Sequence, residues 1–299
     1  MTNEGNVAEI FEIGEGDDRI APTFHLRVLE TIEAGGILYL PRSGFTLTDR
    51  ERMLVGDASV TLPTRKERES RNGRPTVLYD PARGHLERSR IPKQYRAELE
   101  GMMARYADWA QSLLTELLPS YAPSLVRDRV TFRPCERSKP QGLHVDSSYG
   151  RPTEGRGMLR VFCNIDPANR PRRWQVGEPF EPFARRYLPT ARHKRVSLAA
   201  RILAGLGVVR GHRTEYDELI ADLRGQAKHD ADYQAGAPRR IMEFPPGSAW
   251  IAITDLVLHG ALAGQNSLDQ TFFLPSAAMQ APDRSSLRIL ERLAERQLL

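Results

Sequence analysis

His144 and Asp146 stand two apart in the stretch GLHVDSSYGRPTEGRGMLRVFCNID, which begins at Gly142. Residues i and i+2 of a β-strand point to the same face, so this imidazole and this carboxylate could grip one metal ion. In a chain with seven histidines such a pair is weak evidence alone, and a third ligand is required. His259 supplies it at the end of the strand-like stretch WIAITDLVLHG, followed by small residues that leave space in front of its imidazole. Two histidines and a carboxylate on one face of an ion leave the opposite face open, the arrangement preferred by non-haem iron(II) in oxygenases. His25, His85, His193, His212 and His229 compete poorly, because they lie in charged or loop-like segments without a partner at strand spacing.

The elements that must position these ligands are short and punctuated by Gly and Pro. DRVTFRP, GLHVD, MLRVFCNID, RRIMEFPPG, SAWIAITDLVLHG and QTFFLP are β-branched or aromatic and spaced as in a sandwich or barrel, giving a β core over 128–275. Residues 180–238 read as a helical insertion in that core, with the patterns RVSLAARILAGLG and TEYDELIADLRG. Before the core, residues 1–90 mix strands and loops, including the strand GGILYLP and a capping-box spacing from Thr48 to Glu51. Over 92–118, Tyr95, Leu99, Met102, Met103, Tyr106, Ala110, Leu113 and Leu117 recur at three and four, which predicts a scaffold helix between Pro92 and Pro119. A second amphipathic helix is expected over 283–299. The fold class expected is mainly β with flanking helices, in a single domain of 299 residues.

A formal charge of +5 and a pI near 9.3 favour anionic partners: nucleic acid, acidic lipid, or a carboxylated or phosphorylated substrate. Cys135 and Cys163 lack metal or disulfide spacing, which suits a reducing compartment. The acidic N-terminal stretch lacks the pattern of a secretory signal, and no apolar run approaches the roughly 18 residues of a membrane span. The expectation is a cytoplasmic protein.

The HxD pair near the start of a β core, the distal histidine preceded by PGSAWIAITDLVLHG, and the strand that follows resemble the iron(II)- and 2-oxoglutarate-dependent oxygenases. That resemblance implies a double-stranded β-helix, or jelly roll. More narrowly, VLYDPARGHLER, LHVDSSYGRPTEGRGMLRVFCNIDP, RRWQVGEPFEPFARRYLP and VLHGALAGQNSLDQTFFLP are similar to the Kdo hydroxylase family, from about Arg71 to Pro275. The family oxidises the 3-deoxy-manno-octulosonic acid (Kdo) sugar of lipopolysaccharide. The resemblance implies iron(II) held by His144, Asp146 and His259, 2-oxoglutarate and dioxygen as cosubstrates, and ascorbate as reductant.

Many oxygenases of this superfamily anchor the distal carboxylate of 2-oxoglutarate with Arg or Lys about ten residues after the distal histidine. Asp269, Gln270 and Thr271 stand there instead, which is a departure. An arginine from another strand is the expected substitute, because a guanidinium binds a carboxylate through two parallel hydrogen bonds. Arg160 is the first choice: in MLRVFCNID it shares a face with Phe162 and Asn164, and a charge in an apolar strand is costly unless paired. Arg133 in VTFRP is the second choice, although an arginine on a solvated sheet face reads equally well there. Asn164 and Gln270 are expected to complete hydrogen bonds to the cosubstrate, while Trp174 and Phe272 read as core.

The basic run TRKERESRNGR contains Arg71 and Arg74 and reads either as a solvated loop or as a lid over an anionic substrate. RRYLPTARHKR offers a second basic patch for lipid phosphates or a membrane surface, so peripheral contact with the inner face of the inner membrane is expected. Neither run interleaves aromatics as a nucleic-acid platform does, and no nucleic acid is expected. Three functions remain open: hydroxylation of the Kdo sugar of Kdo-lipid A, a 2-oxoglutarate oxygenase acting on another anionic substrate such as nucleic acid or a small metabolite, and a metal-free binding module. A complete triad argues against the third.

Overall fold

The computed structural model describes residues 7–57, 76–87, 91–136, 139–147, 152–191 and 213–299. Two sheets face each other. The larger runs, in spatial order, β1 (Ile10–Glu12), β2 (Ile37–Leu40), β9 (Ala249–Ile253), β6 (Gly157–Asn164), β11 (Ser267–Leu274), β5 (Val126–Arg133), β3 (Val77–Asp80) and β4 (His85–Leu86). The smaller runs β10 (Val257–Ala263), β7 (Arg172–Pro179) and β8 (Arg240–Phe244). Only the β1–β2 pair is parallel among the paired strands; the rest are antiparallel. From β8 to β11 consecutive strands alternate between the sheets, as in a double-stranded β-helix, and the sheets do not close into a barrel.

Period-two alternation divides each strand of the large sheet between two environments. Leu159, Val161 and Cys163 of β6, Ile251 and Ile253 of β9, and Leu268, Phe272 and Leu274 of β11 join the main hydrophobic core. That core is capped by α3 (Lys93–Leu117), whose buried stripe of Leu99, Met102, Met103, Tyr106, Ala110, Leu113 and Leu117 packs on the sheet. The Tyr106 hydroxyl, fully buried, donates to the backbone carbonyl of Val161 at 2.9 Å, so the one polar atom on the stripe is satisfied. The opposite faces of β6 and β9 carry Phe162, Trp250 and Ala252, which pack with Trp174, Val176, Phe244, Val257 and Ala261 in a second, smaller cluster between the sheets. Arg160 and Asp269 share this inner face.

Helix α1 (Pro22–Glu33) packs beside β2, and α2 (Asp49–Gly56) opens with the reciprocal capping box between Thr48 and Glu51. The segment between β7 and β8 carries α4 (Phe180–Tyr187), α5 (Glu215–His229) and α6 (Ala231–Gly236). A second capping box, Thr214 with Asp217, starts α5. The pattern RVSLAARILAGLG and the basic residues Arg192, His193, Lys194 and Arg195 lie outside the described residues, as does the run holding Arg71 and Arg74. The last helix, α7 (Ser286–Ala294), is shorter than its amphipathic pattern because Glu295 turns left-handed at φ 53° and ends it.

Candidate metal centre

His144 and His259 face each other across an antiparallel bridge: each backbone N–H donates to the other's carbonyl, at 3.0 and 2.9 Å. Gln141 N–H donates to the Ala261 carbonyl at 2.9 Å, so the HxD segment extends the small sheet along β10. Cross-strand partners project side by side, and the imidazole centroids lie 4.8 Å apart. Gly260 makes this approach possible, because a Cβ there would lie 2.7 Å from the Gln141 carbonyl oxygen. The small residue after the distal histidine therefore admits the neighbouring backbone rather than clearing space before the ring.

Asp146 completes the group. Its carboxylate lies 3.8 Å from His144 Nε2 and 3.9 Å from His259 Nε2, and one ligand atom from each residue falls within 4.8 Å of the others. Each imidazole donates its Nδ1–H to the carbonyl two residues earlier, His144 to Gly142 at 2.9 Å and His259 to Val257 at 3.1 Å. This fixes the tautomer that leaves both Nε2 lone pairs free for a metal. Trp174 stacks on His259 at 5.1 Å and 18°, locking the ring orientation.

Burial, reinforced by the neighbouring His259, pushes the His144 imidazole down to about 3, and burial lowers His259 as well. Burial alone would raise the Asp146 carboxyl, but the Arg160 guanidinium and the two imidazoles outweigh it and hold it below the ordinary carboxylate range. The group is thus two neutral imidazoles and one carboxylate at neutral pH, the protonation state a divalent metal needs. Cobalt(II) affinity should change by less than about threefold between pH 8 and pH 6. Two ordinary histidines titrating near 6.5 would lose roughly 15- to 20-fold over that interval. Titration of the apo protein with cobalt(II) at the two pH values separates these outcomes.

Arg160 spans two carboxylates, with Nη1 donating to Asp146 at 2.6 Å and Nη2 donating to Asp269. Arg133 Nε donates to the other oxygen of Asp269 at 2.6 Å. Asp269 is 2% exposed, and its carboxyl stays below the ordinary range because Arg133 and Arg160 outweigh the burial that would raise it. The strand after the distal histidine therefore presents an acid that collects arginines from both neighbouring strands, β5 and β6.

The cleft in front of these residues is lined by Arg133, His144, Asp146, Arg160, His259 and Ser267, with Arg172, Trp174, Arg224 and Trp250 completing its walls. Arg160 Nε, Trp174 Nε1 and Trp250 Nε1 are buried with no hydrogen-bond partner. All three are donors, so the cleft is built for an oxygen-rich anion.

Neither amide expected at the cosubstrate lines the cleft. Gln270 stands opposite Val161 on the helix side of the large sheet, fully buried, and donates to the Asp128 carbonyl at 3.0 Å. The side chain of Asn164 is used within the protein, donating to the carbonyls of Arg170 and Phe244 and accepting from the Asp166 N–H. Trp174, read as core, belongs both to the inter-sheet cluster and to the cleft, whereas Phe272 is core only.

Asp255, in the turn between β9 and β10, also carried no signal in the sequence. It is buried, and burial raises its carboxyl. It accepts from Met158 N–H at 2.6 Å and from the Ser286 hydroxyl, fixing the turn whose Thr254 carbonyl receives the Asp146 N–H at 2.9 Å.

The family model for 3-deoxy-D-manno-oct-2-ulosonic acid (Kdo) hydroxylase matches residues 15–297. The chain belongs to the Kdo hydroxylase family. Solved structures of the Kdo hydroxylase KdoO, a non-haem Fe(II) α-ketoglutarate-dependent dioxygenase, match with a TM-score of 0.85 over 97% of both chains. Identity is 30% for the cobalt(II) complex and for the complex with α-ketoglutarate and Fe(III), and 31% for the complex with succinate and Fe(III). No curated protein matches significantly. On the fold shared with KdoO, this chain brings together two histidines and one carboxylate that could hold a metal ion.

Proposed function

We propose that this chain is an iron(II)- and 2-oxoglutarate-dependent dioxygenase that hydroxylates the Kdo sugar of Kdo-bearing lipid A. The observation that carries the reading is a facial group of two neutral imidazoles and a carboxylate, opening on a cleft where the buried unpaired atoms beside the ligands, Arg160 Nε, Trp174 Nε1 and Trp250 Nε1, are donors. The donor set fits iron(II), with His144, Asp146 and His259 as its ligands. When bound, iron(II) supplies dioxygen activation and C–H oxidation, 2-oxoglutarate being converted to succinate and carbon dioxide while one oxygen atom enters the substrate as hydroxyl. Ascorbate is the reductant that keeps the metal ferrous.

The residues around the metal bind, orient and exclude water. Arg160 holds one oxygen of Asp146, which orients the other toward the ion. Arg160 receives the distal carboxylate of 2-oxoglutarate, with Arg133 the second choice, assisted by the unpaired Trp174 N–H. Phe162, Trp174 and Trp250 form an apolar wall that limits water at the reacting carbon. Arg71 and Arg74 contact the anionic substrate, in a segment outside the described residues. No helix among the described residues is long and apolar enough to cross a membrane. We place the protein in the cytoplasm, in peripheral contact with the inner face of the inner membrane through lipid phosphates.

Kdo-bearing lipid A incubated with enzyme, iron(II), ascorbate and 2-oxoglutarate should gain one oxygen on the sugar by mass spectrometry. Turnover should fall with added salt, because exposed charges are screened over about 8–10 Å at moderate ionic strength. No gain on the sugar, together with fast succinate release on a panel of nucleic acids and small metabolites, would transfer the activity to another anionic substrate.

A further inference from the structure

Among the described residues, four arginines line the metal cleft, and three of them are engaged. Arg133 and Arg160 are paired with Asp269 and Asp146, and Arg172 donates to the Gly264 carbonyl. Arg224 is different. It projects from α5 in the helical insertion, is half-buried, and lines the cleft. Among the described residues it has no hydrogen bond or ion pair. The acid two positions before it on α5, Asp222, is held by Gln226 Nε2 at 2.9 Å. Its charge is nonetheless felt at Asp146, His144 and His259, which places the guanidinium within electrostatic reach of the metal site.

Charge balance says what such a group is for. Arg133 and Arg160 share the carboxylates Asp146 and Asp269, whereas no acid among the described residues pairs with Arg224, which adds a positive charge to the cleft. A divalent metal and a dianionic cosubstrate cancel each other and leave the Arg224 charge in place. A half-buried cation without a partner is costly unless a ligand supplies one. The insertion is also fixed against the metal strand rather than hinged over it. Gln234 of α6 accepts from Leu143 N–H at 2.8 Å and donates to the Leu143 carbonyl at 3.0 Å, one residue from His144. A Cβ at position 142 would lie 2.4 Å from Gln234 Oε1, so Gly142 permits this seating. The helical insertion that carries Arg224 is thereby tied to the segment that carries His144.

We infer that Arg224 binds the carboxylate of the sugar acid and selects an anionic sugar over a neutral one. This rests on the reading of the substrate as an ulosonic acid. The contact is a charge-assisted hydrogen bond from α5, a different element from the strands that carry Arg133 and Arg160, so substrate and cosubstrate are held by separate cations.

The test uses the full-length protein loaded with cobalt(II) and 2-oxoglutarate, which binds without turnover. Affinity is measured for Kdo-bearing lipid A in detergent micelles and for the same lipid with the Kdo carboxyl converted to its methyl ester. Wild type should prefer the acid by about ten- to a hundredfold. Arg224→Ala should lose that preference, and Arg224→Lys should keep part of it. The 2-oxoglutarate affinity of both variants should stay within about twofold of wild type, and their melting temperatures should match it, since Arg224 has no partner among the described residues to lose. An acid preference that survives Arg224→Ala overturns the assignment while the Kdo reading stands. A 2-oxoglutarate affinity weakened tenfold in Arg224→Ala, with the acid preference intact, assigns Arg224 to the cosubstrate and also overturns it. Wild type that binds neither lipid overturns the Kdo reading, and the carboxylate contact with it.

Discussion

Replacing His144, Asp146 or His259 with Ala should remove turnover by at least about a hundredfold while leaving the chain folded. Partners one shell out from a metal are worth roughly 10- to 100-fold in affinity or activity, and loss of a ligand itself exceeds that. The fold survives because the ligands sit at the mouth of the cleft, not in either hydrophobic cluster. Their backbones are held by groups no alanine removes: the His144–His259 bridge and the Asp146 N–H to Thr254 carbonyl bond. Exhaustive chelation should have the same effect, reversed by iron(II) and not by zinc, which binds the same donors but cannot change oxidation state. Wild-type turnover after chelation without added metal would refute the metal assignment. Circular dichroism and thermal melting on the same samples separate a lost ligand from a lost fold.

Asp269→Ala should be the most destabilising single change at the site. It leaves Arg160 with Asp146 alone and Arg133 with no carboxylate in contact, both on the inner face of the large sheet. Breaking a buried ion pair by removing one partner costs about 3–5 kcal/mol. Arg133 is 29% exposed and regains some hydration, so the expected loss lies toward about 3 kcal/mol, read as a lower urea midpoint. Function should fall further than stability, because Arg160 then swings toward Asp146 and away from the cosubstrate. In the companion variant Arg160→Ala the 2-oxoglutarate requirement should rise at least tenfold, since a charge-assisted bidentate contact contributes roughly 1.5–3 kcal/mol. Arg160→Lys should recover part of this. If Arg160→Ala leaves the requirement unchanged and Arg133→Ala raises it, the anchor belongs to β5. An Asp269→Ala protein with unaltered midpoint and unaltered 2-oxoglutarate requirement would show that the acid does not organise the arginines.

The cleft was only partly legible in advance, and the reason differs by residue. Arg160 stood out because a cation among Leu159, Val161 and Phe162 is costly, and strand alternation alone says which neighbours share its face. The same alternation places Gln270 away from the cleft once Asp269 is known to face inward, since the two are adjacent on one strand. Which of them faces inward depends on the register with β6, where Asp269 meets Phe162 and Gln270 meets Val161. Register is a property of two strands and cannot be read from one. Arg224 was invisible for a similar reason: it sits on a helical insertion whose pattern predicts a helix but not the wall it will form.

By itself the sequence determined what depends on local spacing. The HxD pair, the distal histidine at a strand end, the capping box at Thr48 and the apolar stripe from Leu99 to Leu117 are all set by neighbours within a few residues along one chain segment. Tertiary structure alone decided how charge is arranged in the cleft. Asp269 on β11 gathers Arg133 from β5 and Arg160 from β6, Trp174 from the opposite sheet stacks on His259, and Arg224 arrives from the insertion without a partner. Coulomb interactions and burial act through space, between residues far apart along the chain. Only the folded protein could settle which arginines are neutralised and which one is left to meet a ligand.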